Sequence, residues 1–444
     1  MMSFLKSNAT LMLAIALLFT GLSMIFGPAM AQHQSAPPVA LPADPIALLT
    51  TGAPQASGYT DRLIGESQQR AKDNPTDYDA LSRLGLAYLQ KSRETNDPTY
   101  YSQAEAAFKN ALELKPDDYN ALAGIGSLEL SRHRFGDALE WGKKAQAVRP
   151  YNAFAYGVIG DAYNELGRYQ EAVDTFQQMV NVRPDQASYS RVSYARELHG
   201  DIAGAIEAMQ QAISAGGPAA ENTAWCRVQL GNLYFNSNRL QDAEREYGQA
   251  LNDYPNYLHG LAALAQLRWA QGKSDEALKL YTQVVNDVPL PQYVAALGDL
   301  YASLGDTENA SKQYELVMFV YKTQENGGVD VGIEKALFMA DHDMDLSAAL
   351  ALAEKAAQTR EDVHTLDSYA WVLYKSGRYR DALVNQQKAM RLKSQNPLFF
   401  YHLGMIYDKL DDAQNARLNV QKALDLNPHF SILHAQAAQA FVKK

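Results

Sequence analysis

Pro116, Pro150 and Pro184 stand 34 residues apart, as do Pro255 and Pro289. A second register of small residues runs through Ala104, Ala138, Ala172, Ala205, Ala243, Ala277, Ala310, Ala349, Ala382 and Ala416, at intervals of 33, 34, 38 or 39. This period constrains the chain more than any other feature. Each unit is one supersecondary piece that cannot bury its apolar face alone, so its neighbours have to stack on it. The two long intervals fall at "SAGGPAAEN" and "KTQENGGVDVG", where Gly and Asn mark extra turn.

The unit "YNAFAYGVIGDAYNELGRYQEAVDTFQQMVNVRP" shows the anatomy. Tyr156, Ile159, Gly160 and Tyr163 share one face of a first helix. "LGRY" makes a turn, and Ala172, Phe176 and Met179 share one face of a second helix. Pro184 ends that helix, because proline lacks the amide a continuing helix needs. Gly160 and Ala172 are small where the two helices cross closely, and the aromatic residues fill the space between. Helical patterning of this kind runs from about residue 59 to the end, with no convincing strand alternation.

The unit resembles the tetratricopeptide repeat. The pattern is clearest in "LSRLGLAYLQ…AEAAFKNALELKP" (81–116), in the unit ending at Pro184, and in "FYHLGMIYDKLDDAQNARLNVQKALDLNP" (400–428). About ten units fall between residues 75 and 428, after a leading half-repeat at 59–74 and before a capping helix at 429–444. The unit at 187–216 has Ser193 where the first helix usually has Gly or Ala, and the unit at 331–361 has Leu337 there. The resemblance implies an all-α fold, a right-handed α-solenoid whose first helices line a concave face. The chain is also similar to a group of exported bacterial arrays of this repeat, which share its "SYAWVLYKSGRY…FYHLGMIYD…ALDLNPHF" ending and carry no known biochemical activity.

The N-terminal segment has a different texture. One Lys precedes the apolar stretch "LMLAIALLFTGLSMIF", and Ala29-Met30-Ala31 follows with small residues where an A-x-A cleavage site needs them. Residues 1–31 are therefore predicted to be a secretory signal peptide, with an uncleaved membrane anchor as the alternative. Residues 32–58 are rich in Pro, Ala and Gly and are read as a linker. The expected location is outside the cytoplasm, periplasmic or secreted.

The formal net charge is −10 and no basic block occurs, which argues against nucleic acid as a partner. Cys226 is the single cysteine and sits in a helical stretch, so it reads as a small buried hydrophobe. The nine histidines include no helical zinc pair and no HExxH. "DHDMD" fails as a calcium loop, because Leu346 and Leu352 stand where such a loop needs Gly and Glu; it reads as a helix–helix turn with Asp345 as N-cap. No phosphate loop or nucleophile elbow is present. These readings predict no cofactor, no metal and no enzymatic activity.

Function is then expected in a surface. Positions between the packing residues of successive first helices face the groove, among them Phe154, Asp161, Tyr194, Trp225, Asn232, Phe235, Gln266 and Trp269. Glu165, Glu197 and His259 fall in the same set. Exposed aromatics in a groove are anchors for a bound peptide. No Lys stands at these positions, so the carboxylate clamp with which some relatives hold acidic chain ends is absent. The expected partner is a protein or peptide, held as an extended segment or a helix. The competing expectations are an accessory factor of envelope assembly and an unrecognised enzyme or sugar-binding module.

Overall fold

The structure, a computed structural model, describes residues 58–95, 97–217 and 221–444. The signal-peptide expectation, and all of the linker except Gly58, lie outside these residues. Among them the chain forms 22 α-helices and no strand. A leading helix α1 (Gly58–Asp73) precedes ten antiparallel hairpins. The first five are α2 (Tyr78–Thr95) with α3 (Thr99–Leu114), α4 (Tyr119–Ser131) with α5 (Phe135–Val148), α6 (Ala153–Glu165) with α7 (Tyr169–Val182), α8 (Gln186–Leu198) with α9 (Ile202–Ala215), and α10 (Glu221–Asn236) with α11 (Leu240–Asp253). The next five are α12 (Leu258–Ala270) with α13 (Ser274–Asp287), α14 (Pro291–Ser303) with α15 (Thr307–Asn326), α16 (Gly332–Asp341) with α17 (Leu346–Ala357), α18 (Val363–Lys375) with α19 (Tyr379–Ala389), and α20 (Pro397–Lys409) with α21 (Ala413–Leu426). A single 3-10 turn at Met390–Leu392 extends α19, and a short helix α22 (Ala435–Val442) closes the array.

Every member of the periodic alanine register is buried, at 3% exposure or less. The reason is close crossing of the two helices in a hairpin. A methyl added at Gly160 would meet the Phe176 ring at 2.3 Å; Gly231 faces Tyr247 at 2.3 Å and Gly298 faces Tyr314 at 2.5 Å in the same way. A small residue on the first helix thus receives a large one from the second, which is how interiors reach close packing. At Ser193, the departure from this pattern, the buried hydroxyl donates to the Ala205 carbonyl at 2.8 Å. The side chain therefore satisfies itself on the facing helix instead of leaving a buried donor unpaired.

The hairpin turns obey the same period. A residue in the left-handed region recurs at His133, Gly167, Gly200, Asn238, Gly272, Gly305, Asp343, Gly377 and Asp411. Glycine takes that conformation without steric cost, and Asn and Asp tolerate it. Asp201, Asp306 and Asp412 then cap the second helices, each carboxylate accepting an amide three residues on. Asp345 caps α17 by accepting the Ala348 amide at 3.1 Å.

The solenoid also closes on itself. Contacts recur between residues 192 to 198 apart, between five and six repeats along the chain. The turn after α4 meets the junction before α16: the Asp330 amide donates to the Arg132 carbonyl at 3.0 Å, and Arg134 donates to the Gly328 carbonyl at 2.9 Å. The turn after α6 meets the junction before α18, where the Val363 amide donates to the Tyr169 hydroxyl at 2.7 Å and Arg360 pairs with Glu165 at 3.4 Å. The Arg360 guanidinium also lies 4.6 Å from the Phe135 ring centroid. Further on, Tyr169, Leu198, Val363 and Phe399 form one buried apolar cluster, and Asn427 donates to the Phe235 carbonyl at 3.1 Å. Successive turns of the superhelix are therefore in contact along a seam. Repeat arrays are held chiefly by neighbour-to-neighbour packing; here long-range contacts add to it.

Candidate functional site

The inner face of the superhelix is built from the first helix of each hairpin. It encloses three adjoining hollows of 830, 410 and 730 Å³. Trp225 and Gln229 belong to the walls of the first two, His259 and Asp299 to the last two, and Arg93 and His133 to the first and third. The hollows are thus parts of one lumen. Among the described residues no lysine lines any of them.

Phe154, Asp161, Tyr194 and Trp225 come together in the 830 Å³ hollow. Phe154 and Trp225 keep 36% and 38% of their surface exposed there, a large fraction for aromatics inside a packed array. Trp225, Asn232 and Gln266 line the 410 Å³ hollow. Asn232 is partly committed to its own hairpin, its amide oxygen accepting from the Tyr247 hydroxyl at 2.8 Å.

Two of the expected groove residues are placed elsewhere. Phe235, expected to face the groove, is 2% exposed and sits under the seam. It stands near the C-terminal end of α10, where the overlying turn of the superhelix lands, so a position that an open spiral would leave on the rim is covered. Trp269 is half-buried and lies edge-on to His429, with ring centroids 6.0 Å apart. It packs on the segment that leads into α22 and lines none of the three hollows.

That segment was not legible as part of the site. Phe430, Ser431 and Ile432 form part of the wall of the 410 Å³ hollow, and Ile432 packs on the core of the central hairpins. Arg191 was missed as well. It donates two hydrogen bonds to Asp161, at 2.8 and 2.6 Å, and neutralises that carboxylate across adjacent hairpins. Its spacing of 30 residues from Asp161 is not a multiple of the repeat, so periodicity gave no signal for the pair.

The electrostatics of the first hollow are uneven. Arg191 pairs with Asp161 at 2.6 Å and Arg183 with Asp185 at 2.9 Å. Glu165 shares Arg360 across the seam. Burial, reinforced by the Asp362 charge, pushes the Glu165 carboxyl up to about 7. Burial alone pushes Glu197 up to about 7. Glu221 accepts the Tyr257 hydroxyl at 2.8 Å on Oε1, while its buried Oε2 has no partner among the described residues. Cys226, at the edge of the hollow, is 2% exposed, and burial holds its thiol at about 12, far from a reactive thiolate. Among the described residues no three His, Cys, Asp or Glu side chains are placed to hold a metal, and no helix is long and apolar enough to cross a membrane.

Comparison with known proteins agrees with this architecture. Family models described as tetratricopeptide repeat match residues 101–153, 155–186, 235–300, 291–318 and 399–430. Human superkiller complex protein 3 is 30% identical over 106 residues, 24% of this chain and 6% of that protein. Cellulose synthase 1 operon protein C of Komagataeibacter xylinus is 23% identical over 241 residues, 54% of this chain and 15% of that protein. The chain thus spans a small fraction of these two relatives. Among solved structures, human IFIT1 aligns over 76% of this chain and 78% of its own, at 15% identity and a TM-score of 0.48. A thermophilic TPR protein of Thermus thermophilus aligns over 48% of this chain and all of its own, at 22% identity and a TM-score of 0.37. With ten hairpins, the alanine register buried throughout and repeat models matching several stretches between residues 101 and 430, the chain has the tetratricopeptide-repeat fold.

Proposed function

We propose that this protein is a non-enzymatic scaffold that holds an extended segment of a partner protein along its inner face, outside the cytoplasm. The observation that carries the reading is the pair Phe154 and Trp225. Both are more than a third exposed and line one hollow of 830 Å³ on the inner face. Rigid aromatic anchors lining a preformed cavity supply contact area at low entropic cost. The leader-like sequence at residues 1–31 supports the location. Replacing both anchors, Phe154→Ala with Trp225→Ala, and repeating affinity capture with cross-linking from native cells tests the reading. Loss of the wild-type cross-links into α6 and α10 is expected; retention of the same partner at the same positions would refute the assignment.

A second reading, an accessory role in envelope assembly, rests on the match to cellulose synthase 1 operon protein C over more than half of this chain. Proximity labelling in native cells separates the two, since an assembly factor labels a fixed set of envelope proteins.

A further inference from the structure

The scaffold reading leaves open what chemistry the segment carries, and the first hollow contains an answer. Its guanidiniums are largely spent: Arg191 on Asp161 and Arg183 on Asp185. Arg93 is the remaining one, and it donates to Gln90. Against it stand two carboxylates with no basic partner among the described residues. Glu197 lies on α8, near Tyr194, and Glu221 lies on α10, one helical turn before Trp225. Among the described residues lining the lumen, eight carboxylates face four guanidiniums and no lysine. The two exposed aromatic rings add to the same preference, since the faces of Trp and Phe attract Lys and Arg side chains.

We propose that the 830 Å³ hollow selects a basic extended segment, with Lys or Arg side chains seated on Trp225 and Phe154 and neutralised by Glu197 and Glu221. The proposal rests on the scaffold reading and names the chemistry of its occupant. A segment of this kind brings positive charge beside the Glu221 carboxylate, whose one hydrogen-bond donor among the described residues is the Tyr257 hydroxyl. An acidic segment meets the Glu221 carboxylate, and Glu197 in its ionised form, with no basic group to offset them, and is rejected by like-charge contact. Both glutamates are half-buried in the wall of the hollow, where pairing with a cation is screened less by salt than at a fully exposed surface.

The test is a fluorescence-anisotropy titration of the full chain with three labelled probes of equal length: Gly-Arg, Gly-Gln and Gly-Glu repeat peptides. The Gly-Arg probe is expected to bind at least about tenfold more tightly than Gly-Gln, with Gly-Glu weakest. The net charge of −10 would by itself attract a basic peptide anywhere on the surface, so position has to be resolved. Glu197→Gln and Glu221→Gln are each expected to weaken Gly-Arg about fivefold to tenfold while leaving Gly-Gln unchanged. Glu308→Gln, at a side chain 82% exposed on α15, leaves all three unchanged. Equal affinities for Gly-Arg and Gly-Gln, or equal losses from Glu197→Gln and Glu308→Gln, overturn the basic selectivity while the scaffold reading stands. Failure of every probe to bind overturns both. The ranking of the three probes on the unaltered chain needs no variant, so a misfolded mutant does not remove the test.

Discussion

Across 194 residues of chain, the backbone amide of Val363 donates to the hydroxyl of Tyr169 at 2.7 Å. The two residues belong to hairpins whose sequences carry the same repeat, yet nothing in the repeat calls for them to meet. The contact is one of a series that closes the superhelix turn upon turn, and it turns an open groove into a lumen. Most consequences of the structure follow from that closure.

The seam makes equivalent glycines unequal. Gly167 and Gly272 hold the same turn position at φ +74 and +76. Alanine at either costs about 1 kcal/mol for the left-handed backbone. At Gly167 the new methyl would also lie 2.5 Å from the Glu361 carbonyl, whereas at Gly272 nothing is within 4 Å. Gly167→Ala should therefore destabilise by about 2–4 kcal/mol and Gly272→Ala by about 1 kcal/mol, read from urea unfolding. Equal losses would mean that the turns do not touch in solution.

Tyr169→Phe removes the acceptor of the Val363 amide without changing the ring. The buried amide is left unpaired, at about 1–2 kcal/mol. Hydrogen exchange should rise at the start of α18 and in the turn after α6, and stay unchanged in α12 and α13. A uniform rise across all hairpins would show global loosening instead of a local seam.

Close crossing inside a hairpin predicts a different response. Phe176→Ala empties a side chain that is 3% exposed and should cost about 3–5 kcal/mol. Gly160→Ala forces a methyl against the same ring and should cost about 1–3 kcal/mol. In the double variant the methyl partly fills the vacated space, so the combined loss should be smaller than the sum. Additivity, measured as a double-mutant cycle, would deny the contact.

The buried acids of the lumen give a pH dependence with a definite sign. Glu165 and Glu197 are raised to about 7 in the folded chain, above the ordinary glutamate value near 4.5. The unfolded chain releases these protons first, so their contribution is fully present below about pH 4.5 and is lost as pH rises through about 7. Melting temperature should fall between pH 5 and pH 8 through this term, and Glu197→Gln should flatten the slope. A slope identical in Glu197→Gln and the unaltered chain would remove Glu197 as its source.

At the C-terminal end the Trp371 indole donates to Asp341 at 2.7 Å, and His434, just before α22, reaches the same oxygen at 3.1 Å. Burial alone would raise Asp341, but the hydrogen bonds and charge from His434 outweigh it and hold the carboxyl below its usual range. Its stabilisation is present above the ordinary aspartate value and is lost as pH falls through the lowered one. Asp341→Asn should loosen the seat of α22 by about 1–2 kcal/mol, seen as faster proteolysis within residues 428–444. Unchanged cleavage there would mean that the cap is held by packing alone.

The sequence by itself determined the hairpins. The alanine register, the left-handed turn residues and the proline stops are local or nearest-neighbour requirements, and each repeats because each hairpin packs on the next in the same way. Hence the ten units, the irregular Ser193 and the cap of α17 at Asp345 could all be read from residues. The groove register was legible for Phe154, Asp161, Tyr194 and Trp225, which share one hollow, because first-helix positions follow the same period. What only the tertiary structure decided is where the turns of the superhelix land. The pitch sums small rotations over five or six repeats, and no single repeat encodes it. The partners across the seam, Tyr169 with Val363, Arg360 with Glu165 and Asn427 with Phe235, therefore carry no periodic signature. That sum buried Phe235 beneath the next turn, brought residues 430–432 into the wall, and enclosed unpaired carboxylates beside two exposed aromatic rings.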